Sequence, residues 1–317
     1  MFRPGWLTVV AVWLMVAAVP PGVAVELLIL GSSQQPLWQH WVRLRQPTIF
    51  SLPSASSATP LQGFFVGLSP SAPNIRPTSD WTALCRSGIQ AVITADVAAA
   101  RAALRDCPLP MVLMGIAPNE LAPLLLSAQQ QRLPVAAIRL EADPRLNLQL
   151  MRTLLPQARK IGLLRAANAP DWLTPLRDEA HRLNFEIQEI VANSDLEAVR
   201  ALRSQLIGLE AVLLPPDPIL INEWSLKPLL MMTVRQGIPV FGGLTAPYVD
   251  AGVMASVVAD ENRVFDQALV LSESLKRDSL APVYPIAVRV VINANIARIL
   301  GFSPEILVRA QSLFKRS

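Results

Sequence analysis

The feature that most constrains the fold is the alternation of short apolar runs with helical stretches along the chain. The runs are almost continuously hydrophobic, which is typical of parallel strands covered by helices on both faces. Hydrophobic residues make up 52% of the chain and charged residues 16%, so there is ample material for a packed core. The repetition predicts an α/β, doubly wound architecture of mainly parallel sheets. The predicted strands are 26–31, 64–69, 89–95, 111–117, 135–141, 160–166, 185–192, 210–216 and 238–244.

Several boundaries between these elements are readable. Asp143 followed by Pro144 is a helix cap and first-turn proline, which predicts a helix to about Leu155. Asp195 is predicted to cap another helix. The Ser- and Pro-rich segment 50–62 is predicted to be a surface loop.

Residues 1–24 have the pattern of a cleavable signal peptide. A short basic start is followed by an apolar run from Trp6 to Val19, a Pro-Pro-Gly break and small residues at 22–24. The run is shorter than the ~20 residues of a bilayer-spanning helix, and an uncleaved N-terminal anchor is the alternative. We therefore expect a protein exported to the periplasm.

Export gives Cys85 and Cys107 a specific interpretation, because an oxidising compartment permits a disulfide. Each cysteine directly precedes a predicted strand, so both belong at the same edge of a parallel sheet. If the two strands are neighbours, the Cα separation falls in the range that a disulfide bridges. Two buried free thiols are the alternative. A metal site is not expected, since the two histidines, His40 and His181, are distant in sequence.

Charge and motifs argue against several function classes. The net charge is +4 without a run of five like charges, so no nucleic-acid-binding stripe is expected. The sequence holds no G-x-S-x-G elbow, H-E-x-x-H pair, phosphate loop or G-x-G-x-x-G. We predict a protein that is not an enzyme, with no metal and no organic cofactor.

Small polar residues recur directly after the predicted strands of both halves of the chain. In open α/β sheets, ligands bind beyond the carboxyl ends of the strands. A cleft between two lobes would bring these residues together into one site. The alternative is that each is only a cap or turn residue. The candidate ligand-binding residues are Ser32, Ser33, Thr94, Asp217, Thr245 and Tyr248.

Longer stretches carry a resemblance to a known family. Residues 213–223 contain a Pro-Asp pair after a strand, and 229–261 contain a helix, an I-P-V-F-G strand and a hydroxyl-bearing loop. With 154–165 and 291–303, these stretches resemble the substrate-binding proteins of ABC transporters that have a type I periplasmic-binding fold. The resemblance covers about residues 105–317.

The resemblance implies two lobes, each a mainly parallel sheet flanked by helices, with the chain crossing between them three times. The N-terminal lobe would comprise 25–142 plus about 252–281, and the C-terminal lobe 143–251 plus about 282–317. It implies capture of a small molecule by hinge closure and its delivery to an ABC permease with its ATPase subunit. The alternative is a periplasmic ligand sensor that acts on a membrane signalling protein.

The N-terminal lobe departs from the family at one informative place. Where many members have a small-residue helix start suited to a ligand carboxylate, this chain has Thr94-Ala95-Asp96. Because an acid at a helix N-terminus repels an anion, the substitution speaks against a ligand held there by its carboxylate.

Overall fold

The structure of the protein is a computed structural model, which describes residues 27–32, 49–52, 61–68, 85–86, 89–168, 172–275 and 279–314. The described strands form two six-stranded sheets. The first sheet has the order β2-β3-β1-β4-β5-β6, and β2 is its only antiparallel strand among the described pairings. Its strands are β1 Leu27–Ser32, β2 Ile49–Leu52, β3 Leu61–Leu68, β4 Ala91–Thr94, β5 Met111–Leu113 and β6 Val135–Ala137.

The second sheet has the order β12-β11-β10-β9-β7-β8. Its strands are β7 Lys160–Ala166, β8 Glu186–Ala192, β9 Ala211–Leu214, β10 Val240–Gly242, β11 Ala255–Ala259 and β12 Val288–Ile292. β12 runs antiparallel to β11 at one edge, whereas the other described pairings are parallel. The predicted α/β class with parallel-dominated sheets is therefore confirmed.

Helices connect and cover the strands of both sheets. Those of the described residues are α1 Val97–Asp106, α2 Pro118–Gln130, α3 Pro144–Leu154, α4 Leu173–Arg182, α5 Asp195–Gln205, α6 Glu223–Arg235, α7 Ala246–Asp250, α8 Glu261–Ser274, α9 Ala294–Ile299 and α10 Pro304–Ser312. The Asp143 side chain accepts a hydrogen bond from the Arg145 amide at the start of α3, as predicted. The cap of α5 is Ser194 rather than Asp195, which is the first residue of that helix.

The central strands are hydrophobic on both faces because helices cover both faces. In β4, Val92 packs in the apolar cluster that includes α1 and α2. Its neighbour Ile93 points the other way and packs with Phe265 of α8. All three side chains are fully buried. Alternate residues of one strand thus enter two different cores, which explains the continuous apolar runs in the sequence.

The chain passes between the sheets at three places in the described residues. The first follows β6, where Ile138 forms a parallel bridge with Val283, and leads to α3. The second follows β11, since β11 pairs in the second sheet and α8 packs against the first. The lobe boundary predicted at about residue 252 lies before β11, whereas the chain leaves the second sheet only after β11. The third passage lies between Val283 and Val288.

Cys85 and Cys107 form a disulfide, with a Cα–Cα separation of 5.6 Å. Cys107 is the C-cap of α1, and the two cysteines are almost fully buried. The bridge ties the chain before β4 to the end of the helix that follows β4.

The predicted signal peptide, residues 1–24, lies outside the described residues. Within the described part of the chain, every helix is too short or too polar to cross a membrane.

Candidate functional site

A cavity of about 400 Å³ lies between the two lobes. One wall is formed by the first two turns of α2, which packs on the first sheet. The opposite wall is formed by the loops that follow β7 and β9 of the second sheet. Residues 139 and 141 of the first passage and residue 282, directly before the third, also line it. We refer to this space as the main cavity.

Arg139 and Glu141 enter the main cavity from the first passage. They are two residues apart in a segment that bends after Ile138, and both side chains line the cavity. A guanidinium nitrogen of Arg139 lies 3.4 Å from a carboxylate oxygen of Glu141, and the two side chains are 17% and 3% exposed. The Arg139 guanidinium also lies over the Tyr284 ring, 5.1 Å from its centroid. The two charges therefore neutralise each other at the edge of the cavity.

The remaining walls are largely apolar. Leu121, Ala122 and Leu125 present one face of α2. Trp172, directly before α4, lies across from them and packs on the core of the second lobe. Such a cavity favours a ligand with an apolar body that covers these walls.

Asp217 lies in the loop after β9, where the sequence predicts a binding residue, and it lines the main cavity. One carboxylate oxygen accepts a hydrogen bond from the Ile219 amide at 2.9 Å, which closes a local turn. Helix α6 starts later, and its cap is Asn222, whose side-chain oxygen accepts from Trp224 and Ser225. Asp217 therefore caps a turn and not a helix.

Thr245 lines a smaller cavity of about 40 Å³ on the other side of Arg139. It occupies the N-cap position of α7, but its hydroxyl makes no capping hydrogen bond. Gly115, which follows β5, also lines this cavity and has a positive φ of +69°. A β-carbon there would clash with the backbone oxygen of Ala95, so the two strand ends approach each other as closely as a glycine permits.

Tyr248 is half-buried and lies outside both cavities. Its hydroxyl donates a hydrogen bond to the backbone oxygen of Ile221 at 2.9 Å, and its ring covers Gly243. Burial raises the pKa of the Tyr248 hydroxyl, and the negative charge of Asp217 raises it further. In this structure the side chain joins α7 to the loop before α6.

The first-lobe candidates are placed differently. Thr94 ends β4, is fully buried, and its hydroxyl has no hydrogen-bond partner among the described residues. Asp96, two residues on, accepts a hydrogen bond from the Ala99 amide at 2.9 Å and so caps α1. Ser32 is the last residue of β1, and Ser33 lies outside the described residues.

The structure thus brings Asp217 and Thr245 to cavities that share Arg139, and it places Thr94 and Tyr248 elsewhere. Sequence reasoning missed Arg139 and Glu141. The available signal was a pair of charged residues in the otherwise apolar run 135–141.

The described part of the chain contains no group of three or more side chains that would hold a metal ion. The main cavity combines apolar walls, one ion pair and one further carboxylate. These groups suit reversible binding of a small molecule.

Known protein structures share this architecture. A substrate-binding protein with adhesive properties from Clostridium difficile, in its ligand-free, open structure, aligns at a TM-score of 0.59 and 12% identity, over 88% of this chain and 95% of that one. A domain from Streptococcus pneumoniae in complex with L-Trp aligns at 0.52 and 14%, over 90% and 98%. This chain has the type I periplasmic-binding fold of ABC-transporter solute-binding proteins.

A conserved domain protein from Vibrio cholerae aligns at a TM-score of 0.53 and 15% identity, over 90% of this chain and 98% of that one. No known family profile matches the sequence, and neither does any curated protein. At these identities the similarity shows the solute-binding fold and leaves the ligand to be argued from the cavity itself.

Proposed function

We propose that this chain is a periplasmic solute-binding protein, which captures a small molecule between its lobes and delivers it to an ABC permease. The observation that carries the proposal is the main cavity, about 400 Å³ in volume and lined by both lobes. This volume lies within the range of small-molecule sites, which are concave, mostly apolar and fixed by a few polar groups.

The connections between the lobes support capture by closure. The first and third passages run side by side, since the Arg139 amide donates to the Val283 oxygen at 2.8 Å. The segments that follow strands β5, β7 and β9 line the main cavity from both lobes. A small rotation of one lobe against the other about the passages would therefore narrow the cavity. Hinges of this kind absorb domain closure in a few residues at element ends.

Two features of the chain support export. The signal-peptide pattern of residues 1–24 predicts passage through the secretory machinery. The Cys85–Cys107 disulfide fits an oxidising compartment such as the periplasm.

The proposed partners are a permease and an ATPase subunit, and the alternative partner is a membrane signalling protein. Native mass spectrometry of the protein purified from its periplasm identifies the captured molecule. Uptake of that molecule, labelled, is then measured in cells with and without this chain. Loss of uptake on deletion is expected for transport. Unchanged uptake together with tight binding would support the sensor instead, and an empty protein that no metabolite stabilises would refute capture.

A further inference from the structure

The charges that line the main cavity do not balance within the described residues. Three charged side chains line it there: Arg139, Glu141 and Asp217. Arg139 and Glu141 form an ion pair, which leaves the carboxylate of Asp217 as the excess charge. Among the described residues, Asp217 forms no ion pair with an arginine, lysine or histidine.

The hydrogen bonds of Asp217 leave one of its two oxygens available. Oδ1 accepts from the Ile219 amide, which fixes the orientation of the carboxylate. Within the described part of the chain, no group donates to Oδ2. A carboxylate accepts hydrogen bonds through both oxygens, so the second oxygen is available for a ligand.

The residues next to Asp217 in the main cavity are mostly apolar. Pro216, Pro218 and Trp172 line the same cavity and offer few groups that solvate a carboxylate. The charge acts on Tyr248 as well, since it adds to the burial that raises the pKa of that hydroxyl. Asp217 itself is half-exposed, and a ligand that covers it would exclude water and so strengthen the attraction between the carboxylate and a cation.

We propose that the main cavity selects a small molecule with an apolar body and a protonated amine, and that Asp217 is the residue that binds the amine. This assignment rests on the proposed capture function and narrows the class of ligand. The amine balances the excess charge, donates to Oδ2, and leaves the apolar body against α2 and Trp172. An anionic ligand would instead meet an uncompensated carboxylate.

The test uses three probes with the same phenyl body: 2-phenylethylamine, 2-phenylethanol and 3-phenylpropionate. Thermal shift and calorimetric titration are expected to show binding of the amine and weaker or no binding of the alcohol and the acid. Asp217→Asn keeps an oxygen for the Ile219 amide but removes the charge. It is expected to weaken amine binding by roughly ten- to a hundredfold.

The matched control is Asp178→Asn, which makes the same change of net charge on the exposed face of α4. It is expected to bind the amine as the unaltered protein does. Equal binding of amine and acid, or an Asp217→Asn variant that binds the amine unchanged, would overturn the amine assignment. Recovery of an acidic or neutral molecule by native mass spectrometry would also overturn it, while the capture function would stand. An empty protein that binds no probe would refute both.

Discussion

Reduction of the Cys85–Cys107 disulfide is expected to destabilise the first lobe by about 3 kcal/mol. The bridge closes a segment with a sequence separation of 22, and the loop-entropy relation for a segment of this length yields that value. The effect acts on the unfolded chain, whose conformational entropy increases when the link is broken. For a lobe of this size, the loss corresponds to a fall in melting temperature of roughly 6–12 °C.

Scanning calorimetry with and without a reductant measures this difference on one and the same chain. The double variant Cys85→Ala/Cys107→Ala serves as the control, because it has no bridge to reduce. Its melting temperature is expected to be lowered from the start and to be indifferent to the reductant. An unchanged melting temperature of the unaltered protein after complete reduction would show that the disulfide does not stabilise the lobe, as would an equal response of the double variant.

Three further changes test the local structure by chemical unfolding. Gly115→Ala is expected to lower the free energy of unfolding more than Gly208→Ala. Both glycines have a positive φ, but only at Gly115 would a β-carbon meet backbone atoms. Equal losses of stability would contradict this. Two backbone hydrogen bonds hold the pKa of Glu210 below its usual range. Glu210→Gln should therefore destabilise the protein at pH 7, with the difference vanishing as pH falls through that lowered pKa. Asn147→Ala leaves the buried Val257 amide without its acceptor and is expected to cost about 1–3 kcal/mol; an unchanged unfolding midpoint would contradict that.

The sequence predicts the central strands well, because their burial leaves a local trace. Residues 91–94 and 211–214 are buried along their whole length, and each segment lies inside a predicted run. The antiparallel edge strands were not predicted. β12 is only half-buried and contains Arg289, so no continuous apolar run marks it. β2 pairs with β3 alone, and part of it falls in segment 50–62, which was predicted to be a loop.

The candidate site is predictable only where it depends on strand ends. Asp217 and Thr245 follow β9 and β10 and line cavities at the ends of these strands, where the rule for open sheets expects ligands, and their role in binding stays a prediction. Arg139 and Glu141 lie on a passage between lobes, and that path is decided by tertiary packing. Tyr248 also follows a strand end, but its hydroxyl is engaged by Ile221 across the fold, a contact without a local pattern.

Hydrogen exchange measured by mass spectrometry tests most directly whether the ligand binds between the lobes. The protein is compared with and without the molecule recovered from the periplasm. Slower exchange is expected in residues 118–125 and 216–219, which line opposite walls of the main cavity. No change is expected in 182–184 on the outer surface of the second lobe. Protection confined to one lobe, or protection at 182–184 alone, would contradict capture between the lobes.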